Sequence, residues 1–374
     1  WSLRSANAQL GAFTGAASRD VLLWYRDSGL FQLVSHAPGA PLARANAAAR
    51  AVAGTTTSNR VVFESAATNL VAGYFPALTN ANLYVFDMNS SSNTLLTHAQ
   101  AQPTLGSARA AEAQSVQFDW SGDHLVFATW AGDLSPSSDG NAVPDVYVYN
   151  TPGNSSSLVS RAAFARAASA DRATTPVGLS ANGRYLLQQS HAANLGVDQI
   201  ESDLDNDADV FVFDADSGSQ TLISYAIQGF DVLSNVPANA ASTAKALSRD
   251  GRWVLFASAA TNLLAFQNDS NAAVDVFLRD AVGGGISLVS HASSGTNVAG
   301  NAAATPTAVS ADGRYVLYES NATNLVAGIT DGNAGSDVFL FDRDNNVSIL
   351  VSKANAATTT GNDTSRATAL SPDG

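Results

Sequence analysis

Aspartate and asparagine recur at fixed offsets in this chain, and oxygen donors two residues apart are what a hard cation requires. Four clusters carry the pattern: Asp139, Asn141 and Asp145; Asp203, Asp205, Asp207 and Asp209; Asp269, Asn271 and Asp275; and Asp331, Asn333 and Asp337. Donors on alternate residues of a tight loop can converge, and three or four carboxylate and amide oxygens suit Ca²⁺. The 203–209 cluster concentrates the most charge and is expected to fill first. None follows the EF-hand plan, since Ala208 stands where that loop needs glycine and no bidentate Glu follows. The same side chains also suit Asx turns, in which each accepts a backbone N–H of its own loop, and both readings stay open at this point.

Other residues suggest weaker chemistry. The equivalent loops of the first two repeats lack the acids and carry Phe13 in one and Tyr74 and Phe75 in the other. These rings are expected either to form an exposed contact patch for a protein partner or to fold down as satellite core. Arg50 and Arg366 share a repeat position on an innermost strand and can bind a carboxylate or other anion, or pair locally with an acid. His36, His98 and His291 follow the fourth strand, where other repeats have Arg161, Tyr225 and Lys353. Spread over separate repeats, they cannot converge on one metal, and they are expected to form a polar rim. No catalytic residues can be assigned: there is no G-x-S-x-G elbow, and Glu64 and Glu319 occupy equivalent second-strand positions.

The elements that must position these residues are visible as a sixfold repeat. The residue opening the DVF-type strand falls at Asp20, Asn82, Asp145, Asp209, Asp275 and Asp337, at intervals of 62, 63, 64, 66 and 62 residues. A period this long and regular means an array of one supersecondary unit. Each repeat holds four short apolar runs, which in 304–353 are TPTAVS, RYVLYES, DVFLFD and VSILVS. Ala311-Asp312-Gly313 marks a tight turn between the first two, because Asp-Gly tolerates positive φ. The connections from second to third and from fourth to first strand are long, so they must share one face. Four antiparallel strands per unit, repeated radially, make the blade of a β-propeller.

The chain starts inside a repeat and stops at Ser371-Pro372-Asp373-Gly374, just after a first strand at 367–371. Joining tail to head regenerates a complete repeat. The expected fold is therefore an all-β, six-bladed propeller of four-stranded blades, one domain over 1–374, closed by the C-terminal strand beside the N-terminal blade. Closure removes exposed sheet edges.

The pattern S-x-D-G-R-Y/W-V-L-F-x-S, a long loop, D-V-F and then L-V-S resembles the TolB-type β-propeller repeat of bacterial envelope and secreted proteins. It runs through Ser248-Arg249-Asp250-Gly251 and Ser310-Ala311-Asp312-Gly313, and it departs at Thr55-Thr56-Thr57-Ser58 and Asp119-Trp120-Ser121-Gly122. The resemblance implies a periplasmic or extracellular binding module or scaffold. The expected function is thus a non-enzymatic propeller mediating protein–protein interaction and stabilised by calcium. The alternative is an extracellular propeller enzyme, hydrolase or lyase, with its catalytic residues on the long-loop face.

Composition limits the remaining classes. A net charge of −13, with 28 Asp against four Glu and two Lys, disfavours nucleic acid, which requires basic patches. No apolar run reaches the 18 residues of a membrane span, and the absence of cysteine rules out disulfides and thiolate metal sites. Trp1 as first residue is expected of a processed or excised segment.

Overall fold

The structure, a computed structural model, describes residues 2–5, 19–55, 57–76, 80–107, 114–137, 141–162, 168–195, 207–228, 231–333, 335–354 and 358–374. Among them no α-helix is assigned, and no helix is long and apolar enough to cross a membrane. The chain divides into two compact units, 1–176 and 177–374.

Four-stranded antiparallel sheets in simple sequential order recur through both units, an arrangement that fits a β-propeller. In the first unit they are Ala49–Gly54, Arg60–Ser65, Asn82–Asp87 and Ser92–Leu95, then Gln114–Phe118, His124–Thr129, Asp145–Asn150 and Ser155–Leu158. In the second they are Ser242–Leu247, Trp253–Ser258, Asp275–Asp280 and Ile286–Leu288, then Ala304–Val309, Tyr315–Ser320, Asp337–Asp342 and Val347–Leu350. A further such sheet ends in Tyr185–Ser190, Asp209–Asp214 and Ser219–Leu222; the division between units falls inside its first strand, Thr174–Leu179. The N-terminal sheet has three strands, Ser2–Ser5, Asp20–Trp24 and Phe31–Leu33. The segment 367–371, expected to be a strand, is assigned none.

Register repeats along with order. The residue opening each third strand faces the last residue of the second: Asp275 opposite Ser258, Asp337 opposite Ser320, Asp145 opposite Thr129 and Asn82 opposite Ser65. The third strand is buried on both faces, so its apolar run is continuous, and side chains alternate between two neighbouring cores. Phe256 and Phe277 pack into one cluster, whereas Leu255 and Leu278 enter the next with Val316, Tyr318, Phe339 and Phe341. Facing ring pairs hold the registers, with Phe256 and Phe277 at 5.6 Å and Tyr318 and Phe339 at 5.4 Å between centroids.

Tight turns close the end opposite the long loops. Ser248 and Ser310 start turns in which Gly251 and Gly313 have φ of 80° and 70°, a conformation that glycine adopts without strain. Each glycine sits against a ring of the preceding repeat. A Cβ on Gly251 would lie 2.4 Å from the Tyr185 ring, and one on Gly313 would lie 2.2 Å from that of Trp253. The C-terminal tetrapeptide makes the same turn, with Gly374 at φ 82° against Tyr315. Beside these turns Arg184, Arg252 and Arg314 pair with Asp214, Asp280 and Asp342 at 2.9, 2.6 and 3.0 Å.

The connections from fourth to first strand are more ordered than loops. His36–Ala37 pairs with Ala40–Arg44 and Tyr225–Gln228 with Asp231–Pro237, while His98, Arg161, His291 and Lys353 each make a single bridge at the same repeat position. The expected polar rim is corrected here, since His36, His98 and His291 are buried at 3, 4 and 5 % exposure. Their rings contact backbone oxygens instead. His98 Nε2 lies 3.1 Å from Asn154 O and His291 Nε2 3.2 Å from Asn346 O, while Tyr225 donates its hydroxyl to Gly284 O at 3.2 Å. Asn154, Gly284 and Asn346 all have positive φ, so each ring reaches the left-handed residue of the next repeat's hairpin.

Candidate functional site

The aspartate opening each third strand is first a structural tie. Its Oδ1 accepts the hydroxyl of the serine ending the L-V-S run: Ser160 to Asp145, Ser224 to Asp209, Ser290 to Asp275 and Ser352 to Asp337, at 2.7 to 2.8 Å. The serine oxygen in turn accepts the N–H of the residue after the aspartate, as Val276 donates to Ser290 at 3.0 Å. Thr97 and Asn82 make the same tie in the second repeat, at 3.0 Å. One carboxylate oxygen is therefore spent on joining the third strand to the fourth.

The loops preceding these strands form Asx turns. Asp269 Oδ1 accepts the N–H groups of Asn271 and Ala272, each at 3.1 Å, and Asp331 Oδ1 accepts that of Asn333 at 3.0 Å. Asn141, Asn271 and Asn333 accept from Val143, Ala273 and Gly335. Their amides donate across to Ala170 O, Gly300 O and Gly361 O. Asp139, Asp203 and Asp205 lie outside the described residues, while Asp207 and Asp209 are within them. Among the described residues no group of three or more His, Cys, Asp or Glu is placed to hold a metal ion.

Two acid pairs are nevertheless brought together. Burial pushes the Asp275 carboxyl up to about 7; the Ser290 hydrogen bond opposes this, and the charge of Asp269 adds to it. The sixth repeat copies the arrangement: burial raises Asp337, Ser352 opposes and Asp331 adds. There a cleft of about 10 Å³, room for a single water, is lined by Asp331, Asp337, Thr323, Ile329, Phe339 and Thr360, and the Thr360 hydroxyl lies 3.3 Å from Asp331 Oδ1. A neighbouring cleft of about 420 Å³ shares the wall Leu325–Val326 and is lined on its other sides by residues 291–296 and 346–348.

The remaining candidates are dispersed. Arg50 is half exposed and pairs with Glu64, the local ion pair weighed from sequence. Arg366 is exposed, and the N–H of the next residue, Ala367, donates to Glu319 Oε1 at 2.7 Å. Phe13 lies outside the described residues. Tyr74 turns inward, donating an edge contact to Tyr84 at 6.4 Å and accepting from Asn82 at 2.9 Å, and burial raises its hydroxyl. Phe75 is 67 % exposed.

Two features were missed from sequence. Arg279 is fully buried, its guanidinium 3.5 Å from the centre of the Tyr225 ring and donating to Ile223 O and Tyr225 O. Burial lowers it to about 10. The signal was an arginine in a strand position held by Phe86, Tyr149, Phe213 and Phe341 elsewhere. The hairpin tip Trp24, Tyr25, Leu30 and Phe31 is exposed, and at the position of Tyr25 the other repeats carry Asp87, Asn150, Asp214, Asp280 and Asp342.

No family model and no curated protein matches the chain. Solved structures do. It is similar to an oligogalacturonate lyase in complex with manganese at 12% identity and TM-score 0.45, covering 89% of this chain and 72% of that one. It is also similar to a TolB from Agrobacterium tumefaciens (13%, TM-score 0.38, covering 90% and 89%). The β-propeller domain of the Trilobed protease from Pyrococcus furiosus is a third (10%, TM-score 0.40, covering 81% and 71%). At such identities a likeness concerns fold alone. The same comparisons correct the expectation of a non-enzymatic binding scaffold. The similar structures are mostly enzymes, prolyl endopeptidases and an acylaminoacyl peptidase among them, of which this chain spans 36% and 39%.

Proposed function

We propose that the chain forms a six-bladed, TolB-like propeller, closed by 367–371 beside Ser2–Ser5, that works outside the cytoplasm as a hydrolase or lyase. The observation supporting this reading is the pair Asp331 and Asp337 lining one cleft on the loop-bearing side. Two carboxyls in unlike surroundings can divide acid and base work. Asp337, raised by burial, keeps its proton further toward neutrality and can give it to a leaving oxygen. Asp331, held by Asn333 N–H and the Thr360 hydroxyl, can orient water or take a proton from carbon. The neighbouring 420 Å³ cleft is within the size range of small-ligand pockets and has room for a sugar- or peptide-sized group.

The test is a turnover screen of polysaccharide, ester and peptide substrates with the purified chain. New reducing ends without ultraviolet absorbance indicate hydrolysis; reducing ends with a new unsaturated product indicate elimination. Asp337→Asn and Asp331→Asn are each expected to lower turnover by roughly 10²-fold or more, the usual contribution of a positioned acid or base. Turnover unchanged in both variants, or absent on every substrate class, defeats this assignment.

A further inference from the structure

We propose that Asp269 and Asp275, at the loop-bearing entry of the strand Asp275–Asp280, are the protein carboxylates of a divalent-cation site of the calcium type. Asp275 is 1 % exposed, and Ser290 takes its Oδ1 at 2.8 Å. Its Oδ2 is fully buried and accepts no hydrogen bond. Asp269 gives its Oδ1 to two backbone N–H groups, and its Oδ2 is likewise buried without a partner. Asn271, between them in sequence, sets its side chain beside Asp275 as a hydrogen-bonding neighbour that opposes the rise of that carboxyl, but its amide is directed to Gly300 O and its oxygen accepts from Ala273 N, so it does not satisfy Oδ2. The two free oxygens thus remain, one on each acid, and the two acids lie close enough for one charge to act on the other.

Buried polar atoms are nearly always paired, and an exception calls for a missing partner. The sixth repeat shows what the fifth lacks. There the Thr360 hydroxyl supplements the backbone at Asp331 Oδ1, whereas the equivalent bridge residue of the fifth repeat is Ala299, so Asp269 has backbone N–H partners alone, all on Oδ1. Among the described residues no ion pair is made by Asp269 or Asp275, and the segment 259–274 contains no Lys, Arg or His. A single proton would answer one oxygen of the two. A divalent cation answers both charges, and an all-oxygen donor set selects a hard ion over a soft one. With only two carboxylates the expected affinity is that of extracellular modules, with Kd of roughly 10⁻⁴ to 10⁻³ M.

This inference stands on the orphaned oxygens and not on the enzymatic reading, so the experiment keeps them apart. The chain is stripped with chelator, dialysed and titrated with CaCl₂ by calorimetry, with melting followed in parallel. Saturating Ca²⁺ is expected to raise the melting temperature by about 3 °C. Asp275→Asn and Asp269→Asn should each abolish the binding heat and the shift, while Asp337→Asn keeps both. Asp269→Asn alters only a loop residue and keeps the test open if Asp275→Asn folds poorly. A full shift in both fifth-repeat variants, or none in the unaltered chain, overturns the site. Turnover on the same samples reports separately on the acids of the sixth repeat.

Discussion

At the scale of single residues, the two kinds of aspartate in each repeat pull stability in opposite pH directions. Asp342, hydrogen-bonded by Arg314, is lowered to about 2, and Asp214 is lowered by Arg184. A folded carboxyl below its unfolded value of about 3.9 contributes stability that is present above that value and lost as pH falls through the folded one. The melting temperature should therefore drop between pH 4 and 2, and Arg314→Gln should flatten part of that drop. Asp275 at about 7 has the reverse sign. Its contribution is complete below pH 4 and is lost as pH rises through 7. In chelator, denaturant midpoints at pH 5 and 8 should differ for the unaltered chain and converge for Asp275→Asn; an unchanged gap would show that other groups cause it. The offsets of Asp269 and Asp275 were legible in the sequence as a donor pattern. That Ser290 claims one oxygen and burial isolates the other was not, because both facts depend on a strand ending 15 residues further on.

At the scale of elements, strands and Asp-Gly turns were legible because alternation and positive-φ residues act locally. The buried histidines were misread because their partners sit in another repeat: His291 and Asn346 are 55 positions apart. A surface reading of histidine presumes that nothing covers it. Each ring that reaches a neighbouring carbonyl joins two sheets through an otherwise unmade hydrogen bond, so His291→Ala should cost about 1–3 kcal/mol in denaturant titration. His36 is the internal control. Its Nε2 is buried without a hydrogen-bond partner, and its ring rests edge-on against Phe86 at 5.7 Å; a phenylalanine there should be tolerated better than at His291. Turn glycines offer a second comparison. Gly313→Ala meets both a strained φ and the Trp253 ring, whereas Gly328→Ala meets only the φ of 73°, with nothing within 4 Å of the added carbon. About 1 kcal/mol is expected at Gly328 and clearly more at Gly313, and equal losses would mean that the turn and the ring move apart freely.

At the scale of the whole molecule, the sixfold period predicted a stack of like sheets, and cores lying between successive sheets are what the structure shows inside each unit. Closure rests on 367–371, which is assigned no strand. If that segment completes the N-terminal sheet as proposed, deleting 365–374 should lower the melting temperature and promote aggregation through the edge it uncovers; an unaffected, monomeric deletion variant would show that the sheet is complete with three strands. One consequence of the turn packing concerns synthesis. The ring that receives a turn glycine always precedes it in the chain: Tyr185 before Gly251, Trp253 before Gly313, Tyr315 before Gly374. Domains form from the N-terminus as the chain emerges, so each of these three glycines finds its seat already made, and these turns can pack as soon as they leave the ribosome.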